Sequence, residues 1–156
     1  MPPCFDVYVW VEPDDRAATL SRFVSSYVDV GDPGDPRLEA FLRAFVYESP
    51  LPGDAEALAD LRRDAGADLA LSLYLRARDF HEAIVTLTEE GAVVLGLGID
   101  DPLNGPGVEA QASDWMVTLM KEFRGKAGIG GAELAPPQSA EEWADDGLVL
   151  MRVGTI

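Results

Sequence analysis

His81 and Cys4 are the only histidine and the only cysteine among 156 residues. Ser-His-Asp, Cys-His and multi-histidine metal chemistry each need these scarce groups together with partners that the surrounding sequence does not supply. A Cys4–His81 dyad requires two distant segments to meet and a third group to orient the imidazole. Lying beside Phe80 where a strand-like run begins, His81 therefore reads as an ordinary strand-end histidine.

Carboxylates are plentiful instead. Adjacent acids stand at 14–15, 89–90, 100–101, 141–142 and 145–146, and a pair of placed carboxylates is the working part of many hydrolases. Helix caps and solvated turns account for most of these positions. A calcium loop opening at Asp100 would put Pro102, Asn104, Gly105 and Gln111 in register, and the proline and the glutamine stand where oxygen-rich acids are required. Gly96 and Gly98 form a G-x-G without the third glycine of a dinucleotide fingerprint. Glycine inside a strand marks a bulge or close packing. The cluster Gly128, Gly130 and Gly131 follows a helix instead of opening one, with no Gly-Lys-Ser/Thr ending to cradle phosphate. No catalytic residue, cofactor or metal is expected from these motifs.

Tyr8 and Trp10 share one face of a strand. That face is either covered by another element or left as an aromatic contact surface flanked by acids, the composition of a protein interface. The charge points to what such a surface would hold. With 28 acidic and 12 basic residues the formal charge is −16, spread along the chain with no detachable tail. A field of this sign repels phosphate backbones and anionic lipid and attracts basic partners. Neither nucleic acid nor membrane is an expected partner. A lone cysteine fits a reducing compartment, and residues 1–15 lack the basic start of a signal peptide, so the expected location is the cytoplasm.

The elements that must position these groups follow from periodicity. Residues 5–11 alternate as a strand that is apolar on both sides and hence interior to a sheet. Asp14 and Asp15 then offer a cap for a helix whose inward stripe is Leu20, Phe23, Val24, Tyr27 and Val28. Asp35-Pro36 and Asp54 suggest two more helix starts, the first carrying Leu38, Phe41, Leu42 and Phe45, the second carrying Leu58, Leu61 and Ala65 and ending at Gly66. Period-two runs follow at Leu69–Leu75, at Ile84–Leu87 and at Val93–Ile99, with breaks near Arg78-Asp79 and Glu89-Glu90-Gly91 too short for parallel crossovers. They predict a three-stranded antiparallel meander. Ala112, Trp115, Met116, Leu119, Met120 and Phe123 form the widest helical stripe, and the glycines after it read as a flexible connection. Ser139 with Glu142 fits a capping box around Trp143, and residues 148–153 read as a last strand. The expected fold is one α+β domain over residues 1–156. Its antiparallel or mixed sheet has about five strands around the central meander, with helices mainly on one face.

The opening strand and helix, FDVYVWVEPDDRAATLSRFVSSYV, the hairpin VTLTEEGAVVLGLGIDD and the later helix bearing Trp115 resemble the organisation of small acidic α+β immunity proteins of bacterial toxin–immunity systems. Ten arginines against two lysines likewise resemble proteins of high-GC bacteria. The resemblance implies a non-enzymatic protein that binds and blocks a basic toxin. Tyr8, Trp10, Asp100, Asp101, Asp145 and Asp146 are the candidate partner-binding residues, the four aspartates as charges at the rim. Two alternatives stand beside it. One is a small enzyme or ligand-binding domain using carboxylates and Tyr8 or Tyr47 in a cleft, betrayed by a deep pocket and a carboxyl of raised pKa. The other is a homodimeric subunit joined through the Tyr8–Trp10 face.

Overall fold

A computed structural model describes residues 4–62, 70–101, 105 and 107–156. Strand β1 (Cys4–Val11) opens the chain, and three helices follow, α1 (Arg16–Tyr27), α2 (Leu38–Phe45) and α3 (Asp54–Ala59). Then come β2 (Leu71–Leu75), β3 (Glu82–Leu87), β4 (Val93–Asp100), α4 (Gly107–Phe123), β5 (Ala127–Ala132), α5 (Ala140–Ala144) and β6 (Met151–Gly154). The strands form one antiparallel sheet in the order β2-β3-β4-β1-β5-β6. The architecture is α+β, with the expected meander as β2, β3 and β4. β1 is hydrogen-bonded to β4 along one edge and to β5 along the other, and both of its faces are buried, one under helices and the other under residues 133–149, which explains its double apolar pattern.

The odd-numbered residues of β1, Phe5, Val7, Val9 and Val11, point into the main core with Leu20 and Phe23 of α1, Phe41 of α2 and Met116 and Leu119 of α4. Each such side chain contributes about 1.5–3 kcal/mol by leaving water. Leu58 of α3 joins the same core, so four of the five helices among the described residues cover one face. Asp15 caps α1 by accepting the Ala18 N–H at 3.0 Å, as its sequence position predicts. The next two starts differ in detail. Asp35 ties down Arg37, so α2 begins at Leu38, and Asp54 is the first residue of α3, where it binds Arg43 and the Leu51 N–H instead of capping. Ala65, Gly66, Leu69, Pro102 and Asn104, on which part of the helix, strand and calcium-loop expectations fell, lie outside the described residues.

The even-numbered side of β1 is where the aromatic surface could have been. It is not exposed: Tyr8 is 0% and Trp10 2% accessible, so the expectation that these rings meet a partner or a second copy is corrected. Residues 133–149 fold back across this face, and Trp143 of α5 sets its ring against Trp10 edge-on at 5.4 Å and 68°. The strap is pinned twice by Gln138, whose carbonyl accepts the Glu89 N–H and whose Nε2 donates to Ser72 Oγ at 3.0 Å. Ser139 caps α5 by accepting the Glu142 N–H at 3.1 Å, the contact its capping-box spacing predicts.

The strand beyond the five expected, β5, replaces the flexible connection expected from AGIGGA. Its glycines answer to close approach, not to mobility. A Cβ at Gly128 would lie 2.6 Å from Met116 of α4, and one at Gly131 would lie 2.5 Å from the Leu148 carbonyl oxygen. Pairing with both β1 and β6 supplies the order that the side chains do not. Among the described residues no helix is long and apolar enough to cross a membrane.

Candidate functional site

The strap covers only part of the second sheet face. Beyond its Leu134 end the face is polar, because register places one row of unusual residues there. Asp6 of β1 lies opposite Gly98 of β4, and Gly98 lies opposite Glu82 of β3. The middle strand contributes no side chain to this row, so two carboxyl groups face each other across a gap. A Cβ at Gly98 would come within 3.1 Å of Asp6 Oδ1 and 3.4 Å of Glu82 Cβ. One row inward Tyr8 lies over Gly96, where a Cβ would meet its ring at 2.4 Å. The glycine pair of β4 is thus close packing, in keeping with its reading as a strand feature and not a nucleotide loop.

One row outward, Cys4 and Asp100 are direct cross-strand partners. His81 joins them because its N–H donates to the Gly98 carbonyl at 3.0 Å, holding the start of β3 against the end of β4. Its Nδ1 lies 3.1 Å from Asp100 Oδ1, and the donor atoms of Cys4, His81 and Asp100 all lie within 4.8 Å of one another. The expectation that Cys4 and His81 stay apart is therefore overturned. The physical reason is register: antiparallel pairing of β1 with β4 brings residue 4 beside residue 100, and the meander returns residue 81 to the same end.

These rows bound a cavity of about 330 Å³ lined by Asp6, Tyr8, Tyr74, Glu82 and Glu133 with Cys4 and His81 at its mouth. Among the described residues that line it there is no lysine or arginine. Burial is the main force on the Asp6 carboxyl, which is pushed up to about 7, with Glu82 and Glu133 adding repulsion against the pull of the Leu134 N–H and His81. Burial also raises Glu82. The Cys4 thiol is pushed up to about 11, first by burial and then by Asp6, Asp100, Glu82 and Glu133. A thiol held up in this way is a weaker nucleophile than an ordinary cysteine. Tyr8 is held well above its ordinary value by burial, and its hydroxyl is spent on the Leu134 carbonyl.

The candidate residues named from sequence are thus divided. Asp100 lies against His81 and does not itself line the cavity, and Asp101 beside it accepts the Gly105 N–H at 3.0 Å. Asp145 closes the α5 turn by accepting from Gly147 and lines a different hollow with Glu142 and Leu148, while Asp146 pairs with Arg152 at 2.8 Å. Tyr8 contributes a wall and Trp10 only core. Tyr47, offered for a cleft, is exposed just beyond α2 and lines no part of this cavity. Asp6, Glu82 and Glu133 were missed. Their signal was present as alternation: Cys4 and Asp6 share the parity of Tyr8 and Trp10, and Glu82 opens the strand that the meander must place beside Gly98. No family model matches the chain, and no curated protein or solved structure matches it.

Proposed function

We propose that the chain is an acidic binding protein whose cavity receives a basic side chain of a protein partner. The cavity and the raised Asp6 carboxyl, the marks set for a ligand-binding cleft, put the binding in a pocket and not on a flat acidic face. The observation that carries this is a hollow walled by Asp6, Glu82 and Glu133 with no lysine or arginine among the described residues that line it. Asp6 is buried and Glu82 half-buried, a carboxylate drawn out of water without a cation is costly, and a guanidinium entering between the two relieves that cost with paired charge-assisted hydrogen bonds. Arginine suits the gap better than lysine, because its planar fork engages two carboxylates at once. Tyr74, 46% exposed at the rim, offers a ring on which such a group stacks. The surplus of −16 steers a basic protein toward the site and repels phosphate and anionic lipid.

In its finer form the proposal is an immunity protein that acts in the cytoplasm by capturing a basic toxin, for which the acid surplus and the cavity are the support. A fluorescein-labelled arginine–glycine repeat peptide followed by anisotropy tests the coarser form. Glu82→Gln with Glu133→Gln is expected to weaken low-salt binding at least about tenfold, or ~1.4 kcal/mol. The surface pair Asp145→Asn with Asp146→Asn is expected to change it by less than about twofold. Equal losses in the two double variants would mean a diffuse field and no receptor, and absence of binding at low salt would end the proposal. For the finer form, co-expression with a basic effector encoded beside this chain is expected to rescue growth, and continued toxicity excludes it.

A further inference from the structure

We infer that Cys4, His81 and Asp100 form a binding site for a borderline-soft divalent cation of the zinc class, open on its fourth side. The three donors are one sulfur, one nitrogen and one oxygen, a set that suits zinc better than calcium or magnesium. They come from three separate segments, yet each is fixed by sheet hydrogen bonding: Cys4 and Asp100 by the β1–β4 register, His81 by its N–H to the Gly98 carbonyl. The spacing fits. In a tetrahedral site with bonds of about 2.0–2.1 Å to nitrogen and oxygen, neighbouring ligand atoms lie roughly 3.3 Å apart. His81 Nδ1 and Asp100 Oδ1 already stand 3.1 Å apart, and with the sulfur all three donors lie within 4.8 Å of one another.

The surroundings favour the same occupant. Asp6, Glu82 and Glu133 face the mouth from β1, β3 and the strap and supply a negative field. On binding, the Cys4 Sγ–H bond breaks and its proton leaves to solvent, the sulfur, the imidazole lone pair and the Asp100 carboxylate each form one bond to the metal, and nothing is oxidised or reduced. With three protein ligands a fourth position is left for water, the arrangement of an open site instead of a sealed structural one.

This inference is independent of the basic-partner proposal, since its test contains no partner and perturbs neither Glu82 nor Glu133. Zinc is titrated into the full chain against a chromophoric chelator, and cobalt is used in parallel as a spectroscopic substitute. One zinc per chain is expected, with a thiolate-to-cobalt charge-transfer band. Cys4→Ser and His81→Ala are each expected to weaken zinc at least as much as the about 10- to 100-fold that loss of an outer-shell partner costs, and Cys4→Ser to abolish the band. Asp100→Asn, at an exposed strand end, provides a third variant if either of the others fails to fold, as judged by circular dichroism. Asp145→Asn with Asp146→Asn is expected to leave zinc affinity unchanged. Absence of the cobalt band, or zinc held equally well by a folded Cys4→Ser, His81→Ala or Asp100→Asn chain, overturns the site.

Discussion

Asp54 shows how one side chain organises a loop. Its carboxylate takes the Arg43 guanidinium through two bonds of 2.8 Å and the Leu51 N–H through a third, and Arg43 is the main reason its pKa is lowered to about 2. A carboxyl whose folded pKa lies below the unfolded value stabilises the fold above the unfolded value and loses that contribution as pH falls through the folded one. Thermal melting of the parent chain and Asp54→Asn should therefore differ at pH 5 and converge as pH drops from about 4 toward 2. A gap that persists unchanged at pH 2 would refute the role assigned to this pair. Asp6 has the opposite sign. Buried at 6% exposure and facing like charges, it costs stability when ionised, so Asp6→Asn should raise the melting temperature of chelator-treated protein at pH 8, above the value of about 7 to which its carboxyl is pushed. The gain is expected to be on the order of 1–3 kcal/mol, and a drop in stability would contradict it.

At the scale of elements, β5 is the strand that sequence periodicity does not reveal. Gly131→Ala drives a methyl against the backbone oxygen of Leu148, which cannot turn aside, whereas Gly128→Ala meets the flexible end of Met116. Denaturant unfolding should find Gly131→Ala destabilised by about 1–3 kcal/mol and Gly128→Ala by clearly less; the reverse order would show that the strap yields more readily than α4. The rest of the sheet and the α4 stripe were legible because apolar period two or period 3.6 is written in the residues themselves. AGIGGA carries no such signal, since its order comes from the neighbours on both sides. The candidate site was legible only in part for the same reason. Asp100 could be named as a loop acid, but its meeting with Cys4 and His81 depends on the register between β1 and β4, a long-range quantity that local pattern leaves open. Tyr8 and Trp10 were placed correctly on one face, yet the cover over them is a strap whose apolar residues, Leu134, Trp143 and Val149, are too widely spaced to show a period.

For the whole molecule the dominant fact is self-repulsion. A formal charge of −16 on 156 residues, with carboxylates gathered at one end of a sheet face, opposes compaction. Raising NaCl from about 10 to 150 mM shortens the screening length from roughly 30 to 8 Å and should raise the melting temperature. The Asp6→Asn and Glu82→Gln chains should gain less from salt than the parent, because part of what salt relieves has been removed. A melting temperature that falls with salt would place net stabilisation in surface ion pairs such as Lys126–Glu12 and Arg152–Asp146 instead.

Gly98 carries a consequence for the gap between Asp6 and Glu82. The distance between Asp6 and Glu82 is set by two steps across the sheet, about 4.7–4.9 Å each, so the pair works as a rigid calliper whose jaws the backbone will not let spread. Its opening is kept by the lack of a single carbon on the strand between them. Gly98→Ala would put a methyl within 3.1 Å of one jaw and 3.4 Å of the other, leaving every ionisable group in place. A chain disarmed in this way would be indistinguishable from the parent by isoelectric point, and only a measurement of what fits between the jaws would tell them apart.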